Sequence, residues 1–534
     1  MMTALDDRLW SLEFAGAARI PGWDAALTRE VAEHFDVFAK QRIQPLDGAG
    51  DLQGCRLVEG RVVLPNGFAQ VYSELAQAGW QGLTAPEEFG GQGLGPAVQA
   101  LVSEAFSEAC HALQMVAGLV PGAIRLLRQV ATPDQQARFI PELASGAWLS
   151  TMCLTEPEAG SDLSRIRTRA VQGAAGWQIS GEKIFISGGD QDASENILHL
   201  VLARSGPDGT RGLSLFACPA NMPDGCRNSV SVTRIERKMG LNGSPTCHMV
   251  FDTAEGELVG APGQGLAAMF LLMNHARLDV ALQGVAHAAK AHAIAKAYAQ
   301  DRKQGRQADG RPAVLADHPD VQRMLHDMDR QTLAARAVAH LALVALESGE
   351  DDLAEFLTPI AKVAGSEVGI RVTESAIQVL GGYGYLHEYR LEQAYRDARI
   401  CAIYEGANGI QALTLATRGL KHAEGAQAEA FVRYVESVVK SSASALLPTA
   451  LQDWHGLSAL TRNAPAENAA LFMQASIALT ELAFWERVIA ECSGNTRFQH
   501  LASIGRYAAA HTVQSSLHFA RLNAQHSERS LKRA

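Results

Sequence analysis

The stretch "GWQISGEKIFIS", residues 176–187, alternates apolar and polar side chains over much of its length, which is the period of a half-buried β-strand. Further short segments between Gly, Pro, Asn and Asp turns also have strand-like patterns. They are "NILHLVLARS" (196–205), "GLSLFACPA" (212–220), "SVSVTRI" (229–235) and "TCHMVFD" (246–252). Because no helical segment separates them, we predict a small antiparallel β domain over about residues 151–255.

Helical periodicity surrounds this domain on both sides. Segments such as "FAQVYSELAQAGW" (68–80) predict a helical N-terminal domain over residues 24–150. The helical pattern over 265–304 is much longer than an average helix, and long amphipathic helices of this kind predict a four-helix-bundle domain over residues 260–420. Residues 421–534 predict an additional helical domain. The expected fold class is therefore mainly α with a small β domain.

Composition and charge narrow the classes of function. The 534 residues are 47% hydrophobic, which fits a globular protein of three or four domains. A net charge of −10 gives no general attraction to nucleic acid or to anionic membranes, and we expect neither nucleic-acid binding nor membrane insertion. Eight scattered cysteines form no C-x-x-C pair, so no metal site is expected. The start, "MMTALDDRLWSLEF", lacks the basic region of a signal peptide, which favours a cytoplasmic location.

Four motifs follow one another within this domain order. They are "MCLTEPEAGSD" (152–162), "KIFISGG" (183–189), "QVLGGYGY" (378–385) and "RDARICAIYEGANGIQ" (396–411). Together they resemble the acyl-CoA dehydrogenase flavoprotein family over about residues 30–420. The resemblance implies FAD as cofactor and the oxidation of an acyl-CoA thioester to trans-2-enoyl-CoA, a reaction of fatty acid β-oxidation.

The resemblance also implies the residues that contact FAD. Residues 152–161 would lie along the flavin ring, although family members often have an aromatic residue where Met152 stands. Phe185 and Ser187 replace the Trp and Thr that the family commonly has near the flavin. The implied cofactor-binding residues are Met152, Cys153, Leu154, Thr155, Gly160, Ser161, Phe185, Ile186, Ser187, Arg302, Gln378, Gly381, Gly382, Ala407 and Gly409.

Some of these residues come from a neighbouring subunit in the family. Gln378, Gly381 and Gly382 belong to such a segment, whose glycines allow the backbone to approach a pyrophosphate closely. Arg302 in "DRKQG" (301–305) matches an arginine that the neighbouring subunit also supplies. A shared flavin site implies a homodimer or a higher homo-oligomer.

Glu405 lies between an apolar Ile-Tyr pair and a Gly-Ala-Asn-Gly turn. Oxidation between Cα and Cβ requires a base for a weakly acidic proton and an acceptor for a hydride. The resemblance implies that Glu405 is this base and that flavin N5 accepts the hydride. It also implies that the glutamate's own N–H helps to polarise the thioester carbonyl. Desolvation should raise the pKa of Glu405 towards neutrality. Some relatives carry the base at the place of Ala276, which cannot accept a proton.

The substrate and the redox partner also follow from the resemblance. The acyl-CoA would contact Ser161, Asn274, Arg277 and Gly406, and an electron-transfer flavoprotein would accept the electrons. Ala407 stands where the family has a Thr. The lengthened connection at 306–325 and the C-terminal extension resemble the branch that contains 3-methylmercaptopropionyl-CoA dehydrogenase and similar larger bacterial enzymes. Chain length, branching and sulfur content of the acyl group stay open.

Two alternatives remain. Alkylation-response flavoproteins share the expected fold and resemble residues 223–240, but they bind DNA through a basic C-terminal domain. Residues 421–534 hold 11 Lys and Arg against 9 Asp and Glu, and this near-neutral balance argues against that reading. An acyl-CoA oxidase would use the same base and flavin but would pass its electrons to oxygen.

Overall fold

A computed structural model describes residues 3–173 and 176–531, so the last three residues of the predicted 421–534 domain lie outside the described residues. The chain forms two compact units. Unit 1 contains Met1–Arg29 and Arg277–Ala534, and unit 2 contains Glu30–Ala276. Helices dominate both units, and the β-sheet lies in unit 2, which confirms the expected fold class.

The part before the sheet is mainly helical. Its elements are α1 (Ala4–Phe14), α2 (Ala25–Phe38), α3 (Leu46–Gln53), β1 (Arg56–Val58), β2 (Arg61–Val63), α4 (Phe68–Gln77), α5 (Pro96–Ala117), α6 (Val120–Val130) and α7 (Pro133–Ser145). Helix α7 begins with a capping box, in which the side chains of Thr132 and Gln135 each accept a hydrogen bond from the other's backbone N–H. Helix α1 was not predicted from the sequence.

Seven strands form the β-sheet of unit 2. They are β3 (Trp148–Cys153), β4 (Arg169–Gln172), β5 (Trp177–Ser187), β6 (Asn196–Arg204), β7 (Leu213–Pro219), β8 (Val230–Ile235) and β9 (Thr246–Val259). The pairings β6–β7–β9–β5–β4 return to β6 through Arg169 and Arg204, so these five strands close a small barrel. Its interior holds apolar side chains including Ile179, Val201 and Phe216.

The predicted antiparallel pairing holds for most of the sheet, but β3 and β4 run parallel to β6. Parallel neighbours need a long connection between them. The connection from β3 to β6 includes the loop after Cys153 and the whole β4–β5 hairpin, so that requirement is met. The period of two predicts strands correctly but does not determine their relative direction.

The remaining part of the chain is again mainly helical. Its elements are α8 (Gly265–Asp301), β10 (Lys303–Arg306), β11 (Pro312–Val314), α9 (Pro319–Glu347), α10 (Asp351–Leu380), α11 (Leu391–Ala398), α12 (Asn408–Thr414), α13 (Ala426–Val439), α14 (Leu446–Asn463), α15 (Pro465–Glu491) and α16 (Thr496–Leu531). The lengthened connection at 306–325 contains part of the β10–β11 hairpin and the start of α9. Helix α8 has the length and apolar composition of a membrane span, but its small side chains pack in a core with α9 and α10.

Two features organise unit 1. Helices α8 and α10 cross with their backbones in contact, because a Cβ atom at Gly365 would lie 2.2 Å from the Ala281 carbonyl oxygen. Helix α1 packs against the C-terminal extension, with the Trp10 and Phe498 rings 4.0 Å apart between centroids. Helix α15 of the extension also packs against α12, which begins three residues after Glu405.

Candidate active site

The Glu405 turn, residues 403–407, connects a short 3-10 turn (Arg399–Ala402) to α12. Two successive residues in it have left-handed backbone, with φ of 52° at Glu405 and 88° at Gly406. A non-glycine residue in this region costs about 1 kcal/mol or more, and such residues are concentrated at functional sites. At Gly406 a Cβ atom would also lie 2.5 Å from Gln411 Nε2, so both backbone and space favour glycine.

Three side chains hold the turn through its carbonyl groups. Gln411 Nε2 donates to the Glu405 carbonyl at 3.0 Å, and Arg277 Nε donates to the same oxygen at 3.4 Å. Lys362 Nζ donates to the Gly406 carbonyl at 2.9 Å. By contrast, the Glu405 backbone N–H has no acceptor within the described residues. The turn therefore presents a fixed N–H donor that a ligand carbonyl can use.

The carboxyl group of Glu405 is desolvated. Its Oε2 atom is buried and has no hydrogen-bond partner in the described part of the chain. Burial raises the pKa of Glu405 to about 7, while the positive charges of Arg277 and Lys362 oppose the rise. A carboxyl group with this pKa is a much stronger base than an exposed glutamate, and it is still ionised in a large fraction of molecules near neutral pH.

Of the residues predicted to hold the CoA portion, the structure brings Arg277 to the Glu405 turn. Its guanidinium is half-buried, and burial lowers its pKa while the nearby Glu405 acts in the opposite direction. Asn274 lies three residues earlier on α8 and is also half-buried.

The first predicted flavin segment continues from the end of β3. Met152 and Thr155 are half-buried, whereas Gly160 and Ser161 are exposed. Cys153 is different, because its side chain lies inside the barrel core, where burial raises the pKa of the thiol to about 11. Leu154 is also buried.

A buried ion pair that sequence analysis did not single out fixes this segment. Lys183 Nζ lies 2.8 Å from Glu156 Oε1 and donates to the Leu154 carbonyl at 2.9 Å. Glu156 in turn accepts the backbone N–H groups of Arg167 at 2.6 Å and Thr168 at 3.1 Å. Both ions belong to the quoted motifs. Since a lysine and a glutamate are usually exposed, their burial could not be foreseen from the sequence.

Phe185 has an unusual environment for an aromatic residue in a strand. It is 59% exposed and has a left-handed backbone with φ of 60°, next to a register irregularity between β5 and β9. The neighbouring Ile186 is buried and Ser187 is half-buried. An exposed aromatic face held in strained backbone fits contact with a planar ring system.

The "QVLGGYGY" motif ends α10. Gly381 terminates the helix with φ of 60°, and a 3-10 turn follows over Gly381–Tyr385. Gln378 is exposed, and Tyr385 is 83% exposed. The structure brings Arg302 to this motif, since its guanidinium carbon lies 5.7 Å from the centre of the Tyr383 ring.

Several glycines in the motifs are not explained by packing within the chain. At Gly160, Gly382 and Gly409 a Cβ atom would have no neighbour within 4 Å, and none of the three has a left-handed φ. These three open glycines are therefore not required by the fold itself.

Comparisons with known proteins identify the family of the chain. The chain matches the N-terminal domain of acyl-CoA dehydrogenase over residues 28–147, the middle domain over 151–254 and the C-terminal domain over 263–420. These matches define an oxidoreductase. This chain belongs to the acyl-CoA dehydrogenase family, whose cofactor is FAD.

Individual relatives support the same assignment. The 3-methylmercaptopropionyl-CoA dehydrogenase of Ruegeria pomeroyi is 38% identical, with 87% of this chain and 91% of that protein covered. A solved acyl-CoA dehydrogenase of Bacillus anthracis, complexed with FAD, has a TM-score of 0.79 and is 22% identical. The match covers 95% of this chain and 90% of the B. anthracis chain, and it shows the shared fold. A chain in a structure described as the electron transferring flavoprotein of Acidaminococcus fermentans has a TM-score of 0.64 and is 27% identical. The match covers 74% of this chain and 98% of that chain.

Proposed function

We propose that this protein oxidises an acyl-CoA thioester between Cα and Cβ, with Glu405 removing the α-proton and trans-2-enoyl-CoA as product. The observation that carries this proposal is the desolvated Glu405 carboxyl, whose Oε2 atom is buried and has no partner in the described residues. A structural glutamate in such a place would normally have a hydrogen bond or an ion pair. A base must instead keep a carboxylate oxygen available for the proton that it accepts.

The backbone of the same turn supplies the second requirement. The Glu405 N–H has no acceptor within the described chain, and we propose that it donates to the thioester carbonyl. A donor fixed in this way stabilises the negative charge that develops on the carbonyl oxygen as the proton leaves. Such a donor is typically worth about 3 kcal/mol.

FAD, when bound, supplies the acceptor for the hydride that leaves Cβ. We propose that the residues assigned to FAD from the sequence hold it. Phe185 would cover part of its ring system, and the open glycines would allow its pyrophosphate to approach the backbone. Arg302 would neutralise phosphate charge, with Tyr383 orienting its guanidinium.

The redox partner and the assembly are further parts of the proposal. The likeness to a chain from the electron transferring flavoprotein study supports an electron-transfer flavoprotein as acceptor. Reoxidation of the reduced protein by air and by such a flavoprotein would distinguish a dehydrogenase from an oxidase. We also propose a homodimer or higher homo-oligomer, testable by sedimentation, and a cytoplasmic location, testable by cell fractionation.

The experiment that tests the proposed function is anaerobic addition of acyl-CoA thioesters to the purified FAD-bound protein. The panel contains short, branched, long and sulfur-containing acyl groups. It includes 3-methylmercaptopropionyl-CoA because the R. pomeroyi relative is named for it. We expect rapid loss of the visible flavin absorption with one class and formation of its trans-2-enoyl-CoA. Absence of bleaching with every class would contradict the proposal.

A further inference from the structure

Lys362 lies in the middle of α10, and its side chain is fully buried. A buried ammonium group is normally paired with a carboxylate, because an isolated charge is costly to desolvate. Lys362 forms no ion pair with any described carboxylate. Its hydrogen bonds go to two neutral oxygens, the Gly406 carbonyl and Asn408 Oδ1, both at 2.9 Å.

Lys183 provides an internal comparison. It is buried to the same degree, but it lies 2.8 Å from the Glu156 carboxylate and its charge is compensated there. The charge of Lys362 has no such direct partner. It is instead directed at the backbone that carries Glu405.

Asn408 completes the connection between α10 and the Glu405 turn. Its Oδ1 accepts from Lys362 Nζ and from Ser366 Oγ, the latter at 3.2 Å, and its Nδ2 lies 3.1 Å from Ser366 Oγ. Because Asn408 is the first residue of α12, Lys362 contacts the chain at Gly406 and at Asn408. Both of these contacts follow Glu405 within three residues, and they fix the turn relative to α10.

The charged and titratable groups around Lys362 and Glu405 come from four segments. They are Arg277 and Asp279 of α8, Lys362 and Glu367 of α10, Cys401 of the 3-10 turn and Tyr404 of the Glu405 turn. Burial lowers the pKa of Lys362 to about 8, while Cys401 and Glu405 act in the opposite direction. The lysine therefore keeps its charge in most molecules over the pH range in which Glu405 ionises.

We propose that Lys362 is a positioning residue of the reaction proposed above, fixing the Glu405 turn and stabilising the ionised carboxylate with its charge. This inference rests on the proposed function. A lysine that only filled space in the bundle would have no effect on the pH at which the base becomes active. A lysine whose charge acts on Glu405 must shift that pH when the charge is removed.

The test is the pH dependence of anaerobic flavin reduction in the FAD-bound protein with its best thioester. The rising limb of the pH–rate profile is the range in which the rate increases as Glu405 ionises. In Lys362→Met this limb should move to higher pH by about one unit, since a nearby opposite charge typically lowers a carboxyl pKa by one unit or more. At pH 7 this shift alone reduces the rate about fivefold. The rate at high pH should also stay below that of the wild type, because the turn has lost a hydrogen-bond donor.

Three further variants make the result decisive. Lys362→Gln keeps a polar group without the charge and should shift the limb as Lys362→Met does. Lys421→Met removes an exposed lysine and should leave the limb in place. If neither Lys362 variant retains FAD, Asn408→Asp decides, because a carboxylate beside Lys362 should neutralise its effect and move the limb to higher pH.

An unchanged limb in folded, FAD-bound Lys362→Met or Lys362→Gln would overturn the inference. If both fail to retain FAD, an unchanged limb in Asn408→Asp would overturn it. The outcome is separable from failure of the proposed function. Flavin reduction at a near-native rate in Glu405→Gln would show that Glu405 is not the base. If Glu405→Gln is inactive and the limb of the Lys362 variants is unshifted, only the role of Lys362 is contradicted.

Discussion

Glu405 combines two unfavourable features, a left-handed backbone and a desolvated carboxyl group, in one residue. Neither stabilises the fold at neutral pH. Strained backbone is concentrated at functional sites, and a desolvated carboxyl group is what a base for a weakly acidic proton needs. The family resemblance implied that the Glu405 carboxyl group is desolvated, and the apolar, glycine-flanked sequence around Glu405 fits that expectation. The contacts of Lys362 and Arg277 with the turn could not be predicted, because each lies far from Glu405 along the chain and their meeting depends on helix packing.

The raised pKa has a consequence for stability. Burial raises the pKa of Glu405 from its ordinary value of 4.5 to about 7, so the folded protein favours the protonated form. The associated stability is present below about pH 4.5, declines as the pH rises, and is lost above about pH 7. Glu405→Gln should therefore gain stability relative to the wild type between about pH 5 and pH 8, by at most about 3 kcal/mol.

Urea unfolding of the FAD-bound wild type and of FAD-bound Glu405→Gln, at about pH 5 and about pH 8, measures this gain. Glu424→Gln is the matched control, because Glu424 also has a left-handed backbone with φ of 58° but is exposed. Its stability relative to the wild type should not depend on pH. An equal response of the two variants would show that Glu405 is not desolvated.

At the scale of elements, the crossing of α8 and α10 determines where Arg277 and Lys362 can meet the Glu405 turn. Cβ atoms added at Gly284 and Gly365 would lie 2.2 Å from the carbonyl oxygens of Gly365 and Ala281, respectively. Helical periodicity predicts both helices, but it does not reveal that their backbones touch, because glycine in a helix usually indicates only a weak position.

Gly365→Ala should destabilise the protein by about 3 kcal/mol, because the added methyl group meets backbone that cannot move without separating the helices. It should also slow flavin reduction by displacing Lys362 from the turn. Gly456→Ala in α14 is the control, since a Cβ atom there makes ordinary contacts at 3.5 Å or more with side chains of α16. That variant should gain up to about 1 kcal/mol from helix propensity. Thermal or urea unfolding distinguishes the two, and equal stabilities would contradict the close crossing.

At the scale of the whole molecule, the start and the end of the chain belong to the same unit. Arg497 of α16 lies 2.8 Å from Asp7 of α1 and 2.6 Å from Asp329 of α9, so one guanidinium joins three helices. The sequence predicted the extension as helical, but local patterns carry no information about which distant helix packs against it. For the same reason α1 was not assigned to any domain.

Arg497→Ala should leave two carboxylates without their counter-ion. Burial would raise the pKa of Asp329, but the Arg497 hydrogen bonds hold it below its ordinary value. Stability from this ion pair is therefore present at neutral pH and is lost as the pH falls through the folded-state pKa. We expect a loss of about 2 kcal/mol at neutral pH, since the cluster is partly solvated.

Urea unfolding and limited proteolysis of α1 at neutral and acid pH measure this effect. Proteolysis should become faster in Arg497→Ala at neutral pH, and its difference from the wild type should shrink in acid. Arg433→Ala breaks an exposed pair 3.9 Å long and should change neither measurement. Equal behaviour of the two variants would show that Arg497 does not hold α1.

The role of Glu405 as base is tested by the rate of anaerobic flavin reduction by the best thioester in the wild type, Glu405→Gln and Glu424→Gln. We expect a decrease of about a hundredfold to ten-thousandfold in Glu405→Gln with FAD still bound, and an unchanged rate in Glu424→Gln. Reduction at a near-native rate in Glu405→Gln would contradict Glu405 as the base.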